Sequence, residues 1–279
     1  MAAAAPTGYD PGFLPDANVP VPGASEAVAD DYAATKAGDH VRNYTHFSLA
    51  MSTSRRFARW VAWNIDGSAI SKLSRKGLSF RLDDAYEPSQ QVGKELYKDN
   101  HLDQGHIARR GDLIWGPPDE AKQANHDSFF FTNITPQLDT FNQEGRHGLW
   151  GELEDAIFAD VDVDHLRISL IGAPIYKDDD LPYRDVLVPR SFFKVVAYVE
   201  GGKLRAKAFV LTQDDLEKNL EAVLGLEEFR VYQVPLADLE TMTGLTFGDL
   251  TGHDTMQAAA GAVAPRPRLI RTPDDYAAE

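Results

Sequence analysis

Asp103-Gln104-Gly105-His106, running on to Arg109-Arg110, is followed by Phe131-Thr132-Asn133-Ile134-Thr135-Pro136-Gln137 and then by Asn142-Gln143; the reading of the whole chain turns on this stretch. It holds the densest set of polar side chains with catalytic potential. A histidine on a strand beside a glycine presents its imidazole in an open cleft, and a pKa near neutrality suits it to take a proton from water. Taken alone the inference is poor, because most histidines do no catalysis. Asn133 carries an equally ordinary alternative, since asparagine beside Thr-Pro is a turn former that bonds its own backbone. Arg109-Arg110 reads either as a solvated pair or as a phosphate clamp.

Working outward, Trp60 to Ile65 alternates like a strand and ends at Asp66-Gly67, a turn signal that predicts a hairpin. Ser128 to Ile134, Leu166 to Ile171, Phe192 to Val199 and Leu204 to Leu211 are further strand candidates, the last two joined across Gly201-Gly202. The aromatic run Phe129 to Phe131 reads as core rather than as a base-stacking platform. Helical patterns fall at Leu149 to Phe158, with an apolar stripe of Leu149, Leu153 and Ile157, and at Asp214 to Leu224, which opens with acids. The mixture is α+β with a central antiparallel sheet, not a βαβ alternation. Residues 1–40 and 256–279 are rich in Ala, Pro, Gly and Asp without sustained periodicity. They predict a flexible N-terminal arm, disordered or laid over the body, and a flexible C-terminal tail around a domain at 41–255.

The chain has no cysteine, which excludes disulfides and thiolate metal sites and leaves oxygen or imidazole to hold any metal. No secretory leader and no membrane-length apolar run stands in it, so the expectation is a soluble cytoplasmic protein with no membrane partner, export by a dedicated machine remaining open. The formal charge of -15 argues against a nucleic-acid binder, because phosphate neutralisation by Lys and Arg supplies most non-specific affinity. Much of the acid lies elsewhere, at 160–164, 178–180, 214–221 and in the tail. Between Arg55 and Arg110 the balance is near neutral and includes Arg55, Arg56, Arg59, Lys72, Arg75, Lys76, Arg109 and Arg110.

The order of motifs settles more than any one of them. Asp-Gln-Gly-His, Asn-Ile-Thr-Pro-Gln, Phe141-Asn142-Gln143 and Trp150-Gly151-Glu152-Leu153-Glu154 resemble the DNA/RNA non-specific endonucleases of the ββα-metal, or His-Me finger, superfamily, in the endonuclease G-like branch. The likeness extends from Asn43-Tyr44-Thr45-His46-Phe47-Ser48 through Gly172-Ala173-Pro174-Ile175-Tyr176 and Phe192-Phe193-Lys194 to Val231-Tyr232-Gln233-Val234-Pro235, roughly residues 42 to 248. The resemblance implies His106 as general base and Asn142 as direct ligand of a catalytic Mg²⁺ or Mn²⁺. It places Glu154 on metal-bound water, with Glu152 or Asp155 as alternatives, gives Asn133 an ordering role and makes Arg81 the upstream arginine that assists the phosphate. The finger would be the strand at His106, the strand ending at Asn133 and a helix around 142–158.

Gln104 stands where the family has an arginine, which removes a cation near the phosphate and shifts the burden to Arg109, Arg110 or Arg81. Asp103 reads as ordering the His106 strand rather than binding metal, and His126 and His147 as surface residues. The implied reaction is hydrolysis of DNA or RNA phosphodiesters without sequence preference, by a homodimer. A catalytically weakened nucleic-acid-binding or scaffold protein on the same fold, or a phosphodiesterase for small nucleotides, is the alternative. A non-specific nuclease kept inside the cell endangers it, which implies an inhibitor, an activating partner or delivery as a toxin.

Overall fold

Trp60 to Ile65 and Phe192 to Val199 are apolar at nearly every position, the pattern of strands covered on both faces, and a computed structural model of the chain places both at the centre of a sheet. The structure describes residues 6–100, 102–138, 167–212, 230–257 and 265–270. The helices expected at 149–158 and 214–224 lie outside the described residues, as do Asn142, His147 and Glu154.

In chain order the strands begin with β1 (Gly23–Ala24), β2 (Arg42–Tyr44), β3 (Phe47–Met51), β4 (Ala58–Asp66) and β5 (Leu102–His106). Helices α1 (Arg110–Leu113) and α2 (Pro118–Asp127) follow, then β6 (Ile134–Leu138), β7 (Arg167–Ile175), β8 (Leu181–Tyr183), β9 (Val186–Val188), β10 (Ser191–Glu200), β11 (Lys203–Thr212) and β12 (Arg230–Val234). Helix α3 (Leu236–Thr243), β13 (Leu245–Thr246) and β14 (Arg268–Ile270) complete the described elements. Eight strands form one antiparallel sheet in the order β14-β12-β11-β10-β7-β4-β3-β2, while β1 pairs with β13, β5 with β6 and β8 with β9. The α+β class with a central antiparallel sheet is the one the sequence predicts.

Period-two alternation divides the apolar side chains between two cores. Val61, Trp63 and Ile65 of β4 join Leu170, Val196 and Phe209 on one face, against Ile107, Ala108, Leu113 and Ala124 of the β5–α2 segment. Trp60 and Ala62 face the other way with Ile171, Phe193, Val195 and Val210. This second face is closed by α3, through Leu236 and Leu239, and by Tyr9, Phe13, Leu14 and Val19, which pack over it from the N-terminal side of the described residues. Among the described residues no helix is long and apolar enough to cross a membrane.

The hairpin across Gly201-Gly202 forms as expected: Glu200 pairs with Lys203, and the two glycines take φ of 54° and 72°, the paired positive values of a two-residue turn matched to strand twist. Two other expectations fail. Asp66-Gly67 makes no hairpin, because the Asp66 carboxylate accepts from the Ser68 N–H at 3.1 Å and starts a short 3₁₀ turn at Gly67–Ala69 that takes the chain off the sheet. The partners of β4 are instead β3 and β7. Ser128 to Ile134 is not a strand: Phe131–Asn133 is a 3₁₀ turn, with the Asn133 N–H donating to the Phe130 carbonyl at 3.0 Å, and pairing begins only at Ile134. Its aromatic character comes from burial around His106, not from a ladder. Helix α2, absent from the sequence-based expectation, carries Pro118 in its first turn followed by Asp119 and Glu120, a legible start signal.

Candidate active site

Strands β5 and β6 run antiparallel, with His106 opposite Ile134, Gly105 opposite Thr135, Gln104 opposite Pro136 and Asp103 opposite Gln137. Alternation puts His106 and Gln104 on one face and Asp103, Gly105, Thr135 and Gln137 on the other. Gly105 is required by packing: a Cβ there would stand 2.1 Å from Cδ of Gln137, a side chain only 4% exposed.

The imidazole of His106 leaves the end of β5 among aromatic rings, 5.4 Å between centroids from Phe80 and 5.6 Å, edge-on, from Phe129. The backbone carbonyl of Ser128 is its hydrogen-bond partner, while Nε2 is buried with no partner among the described residues. The bond to Ser128 therefore falls to Nδ1, which must carry the hydrogen, and Nε2 keeps its lone pair. Burial first, then the charges of Arg75 and Arg110, push the imidazole down to about 4, against a smaller opposing effect of the Ser128 carbonyl. The ring is neutral at physiological pH with the Nε2 lone pair unprotonated, but the open cleft and near-neutral pKa expected from sequence are not what the described residues make: burial encloses Nε2 and lowers its basicity.

Asn133 has no solvent exposure and joins the two segments that hold the histidine. Its Oδ1 accepts from the Ala108 N–H at 2.9 Å, and its Nδ2 donates to the carbonyls of Ala108 at 3.0 Å and Ser128 at 3.3 Å. Ser128 thus receives both Asn133 and His106. Three of the amide's four hydrogen-bonding capacities, both N–H donors and one lone pair of Oδ1, face backbone, so Asn133 ties the segments around His106 together.

The expected cations separate. Arg110 lies beside His106, its guanidinium held by the Leu73 carbonyl at 3.1 Å and the Asn125 side-chain oxygen at 3.0 Å. The charge of Arg109 is felt at Arg110 and Lys194, but it is not among the charges acting on His106. Arg81 bridges Phe130 through its backbone and lays its guanidinium 4.0 Å from the Phe130 ring centroid, while its neighbour Phe80 faces His106. Arg75, not singled out for the site from sequence, is exposed, lies 5.9 Å from the Phe129 ring centroid and acts on His106. Its only sequence signal was membership of the basic stretch 55–110, and much of that stretch is structural: Arg55 pairs with Asp180 at 3.1 Å and Arg59 pairs with Asp31.

The sequence profile of the DNA/RNA non-specific endonucleases matches residues 25–254, most of the chain. This chain belongs to the DNA/RNA non-specific endonuclease family. An uncharacterized protein of Sinorhizobium fredii is 32% identical over 86% of this chain and 38% of its own length. The human mitochondrial nuclease EXOG is 26% identical over 80% of this chain and 61% of its own length. The chain therefore spans less than two thirds of these relatives. A crystal structure of EndoG in complex with EndoGI, which describes EndoG inhibition, shares the fold with a TM-score of 0.59 at 21% identity, covering 76% of this chain and 86% of that one.

In this family member the motif Asn43 to Ser48 holds the β5–α2 segment on the sheet. His46, at the tip of the β2–β3 hairpin with φ of 70°, stacks on Trp115 at 3.6 Å and bonds the Leu113 carbonyl through Nδ1 at 2.7 Å and Glu120 through Nε2 at 3.1 Å. Thr45 donates both its N–H and its hydroxyl to the Asp127 carboxylate, at 2.9 and 2.8 Å. Both ends of α2 are thereby fixed, and with them Ser128.

Proposed function

We propose that this chain is a metal-dependent nuclease that hydrolyses phosphodiester bonds of DNA or RNA with His106 as general base. The observation that carries the reading is the imidazole itself: Nδ1 is committed to the Ser128 carbonyl, and Nε2 is left with a free lone pair beside two cations. Water attacks phosphorus, its proton passes to Nε2, and the bond from phosphorus to the leaving oxygen breaks. Arg75 and Arg110 are placed to offset the charge that gathers on the phosphate oxygens, a task that the family's arginine at the position of Gln104 is here unable to share. Asn133 holds the base in its tautomer through the common carbonyl of Ser128. Arg109 and the partly exposed Gln104 are assigned to the approaching backbone of the substrate, and Arg81 to holding Phe80 and Phe130 in place.

Among the described residues no three His, Asp or Glu side chains gather to cage an ion. The donor chemistry of the chain, all oxygen and imidazole, fits a hard ion, which Asn142 would hold, with Glu154 acting on it through water, as the family resemblance implies. Such an ion supplies charge stabilisation at the phosphate and leaving oxygen. The EndoG–EndoGI complex supports restraint by a protein inhibitor as one means of control for this chain as well.

Purified chain incubated with supercoiled plasmid and with RNA, in Mg²⁺, in Mn²⁺ and with chelator, tests the reading. Metal-dependent nicking of either polymer is expected. A folded protein that cleaves neither under any of these conditions sinks it.

A further inference from the structure

Residues 71–79 form no strand or helix, and Arg75 stands exposed among them. Three bonds lay this segment along α1 and α2. The Ser71 N–H donates to the Ile114 carbonyl at 2.7 Å, the Arg110 guanidinium donates to the Leu73 carbonyl at 3.1 Å, and the Asn125 amide donates to the Ser74 carbonyl at 3.3 Å. Asn125, on α2 and 6% exposed, also accepts from the Arg110 guanidinium through Oδ1 at 3.0 Å. Its backbone carbonyl accepts from the Ser128 hydroxyl at 2.9 Å, and the Ser128 carbonyl is the partner of His106. One residue therefore joins Arg110, the segment of Arg75 and the turn that holds the base.

Arg75 and Arg110 repel one another: burial first, then the charges of Arg75 and Arg109, push the Arg110 guanidinium below its ordinary range. Two like charges stay side by side only where something fixes them. A carboxylate at position 125 would fix Arg110 but offset its charge, whereas a neutral amide oxygen holds the guanidinium by a charge-assisted hydrogen bond and leaves its charge to a phosphate. The Arg75 guanidinium lies 5.9 Å from the centre of the Phe129 ring, which stands perpendicular to the imidazole of His106. We infer that Asn125 is a positioning residue for the nuclease reaction: it anchors Arg110 directly, and Arg75 through the Ser74 carbonyl, in register with His106. The kinetic consequence rests on the nuclease reading; the anchoring does not.

The test is Asn125→Leu, which keeps the volume and loses both side-chain bonds, with Asn125→Ala in its place if the leucine chain does not fold. The backbone carbonyl of residue 125 is untouched, so Ser128 and its bond to His106 stay. On supercoiled plasmid in Mg²⁺ the kcat is expected to fall at least about tenfold, with the smaller part of the loss in KM, since small misplacements of catalytic groups are costly. NMR of the imidazole supplies the readout that loosened packing alone would not give. Release of the cations should let His106 titrate above its parental value of about 4, and the rise should be smaller when Arg75→Ala is already present, because one of the two charges is then gone before Asn125 is changed. A folded variant with parental kcat, or with its loss confined to KM, overturns the positioning role. A titration that does not move, or that rises as far with Arg75→Ala as without it, overturns the anchoring. A parent chain that cleaves nothing removes the nuclease reading instead, and the titration then decides the anchoring alone.

Discussion

Replacing Asn133 by alanine should destabilise the protein strongly and disable it through His106. The side chain makes three bonds in a place without solvent, two to Ala108 and one to Ser128, both 0% exposed. Truncation leaves the N–H and the C=O of Ala108 without these partners, while the Ser128 carbonyl still has His106. An unsatisfied buried backbone group costs about 1–3 kcal/mol, so the pair amounts to about 2–5 kcal/mol once some relaxation is allowed. That is a large fraction of the roughly 5–15 kcal/mol typical of a folded domain. Asn133→Asp should be at least as harmful at neutral pH, because a carboxylate keeps the bond to the Ala108 N–H but turns a second acceptor on two carbonyls. Urea unfolding at pH 7 measures both losses, with the m-value as the check that the same transition is followed. A loss below about 1 kcal/mol for Asn133→Ala would refute the clip, and parental stability combined with lost cleavage would move Asn133 from scaffold to substrate.

Gly105→Ala drives a methyl into the Gln137 amide and should cost about 1–3 kcal/mol; adding Gln137→Ala should recover most of it in a thermal melt, and no recovery would mean that strain at 105 arises elsewhere. Arg75→Ala removes an exposed side chain, so stability should stay within about 0.5 kcal/mol, while cleavage falls and the His106 imidazole, followed by NMR, titrates higher than in the parent; an unmoved imidazole would separate Arg75 from the site. The pH dependence of folding gives a further check. His106 titrates at about 4 in the folded chain against an ordinary 6.5, so between those values the unfolded state holds a proton that the folded state refuses. Stability should therefore fall as pH drops from 6.5 towards 4, by up to about 1.4 kcal/mol per unit from this group, and level off below. His106→Gln should remove that part of the slope; identical slopes in both proteins would contradict a buried neutral imidazole.

The sheet was legible because its strands obey local rules: Trp60 to Ile65 and Phe192 to Val199 are mostly apolar and β-branched or aromatic, broken only by Asn64 and Lys194, and Gly201-Gly202 is a turn that needs two positive φ values. His106 and Asn133 were legible only through the order of their motifs, since neither differs locally from an ordinary histidine or a turn asparagine. What stayed hidden is tertiary. Nothing near Asp66 tells that its carboxylate caps a 3₁₀ turn, and the aromatic run at Phe129 mimics a strand because its rings are buried by Phe80 and His106 rather than by a ladder. Arg75 and Arg81 are six residues apart in one basic stretch, and nothing local to either tells that Arg81 lies over the Phe130 ring while the charge of Arg75 acts on the imidazole.

The proposed cleavage depends most directly on Nε2 of His106. Plasmid nicking by the parent chain and by His106→Ala, in Mg²⁺ and with folding checked by circular dichroism, tests it. Nicking by the parent and its loss in the folded variant, by about a hundredfold or more, is the predicted result; a folded His106→Ala protein that nicks at the parental rate would contradict it.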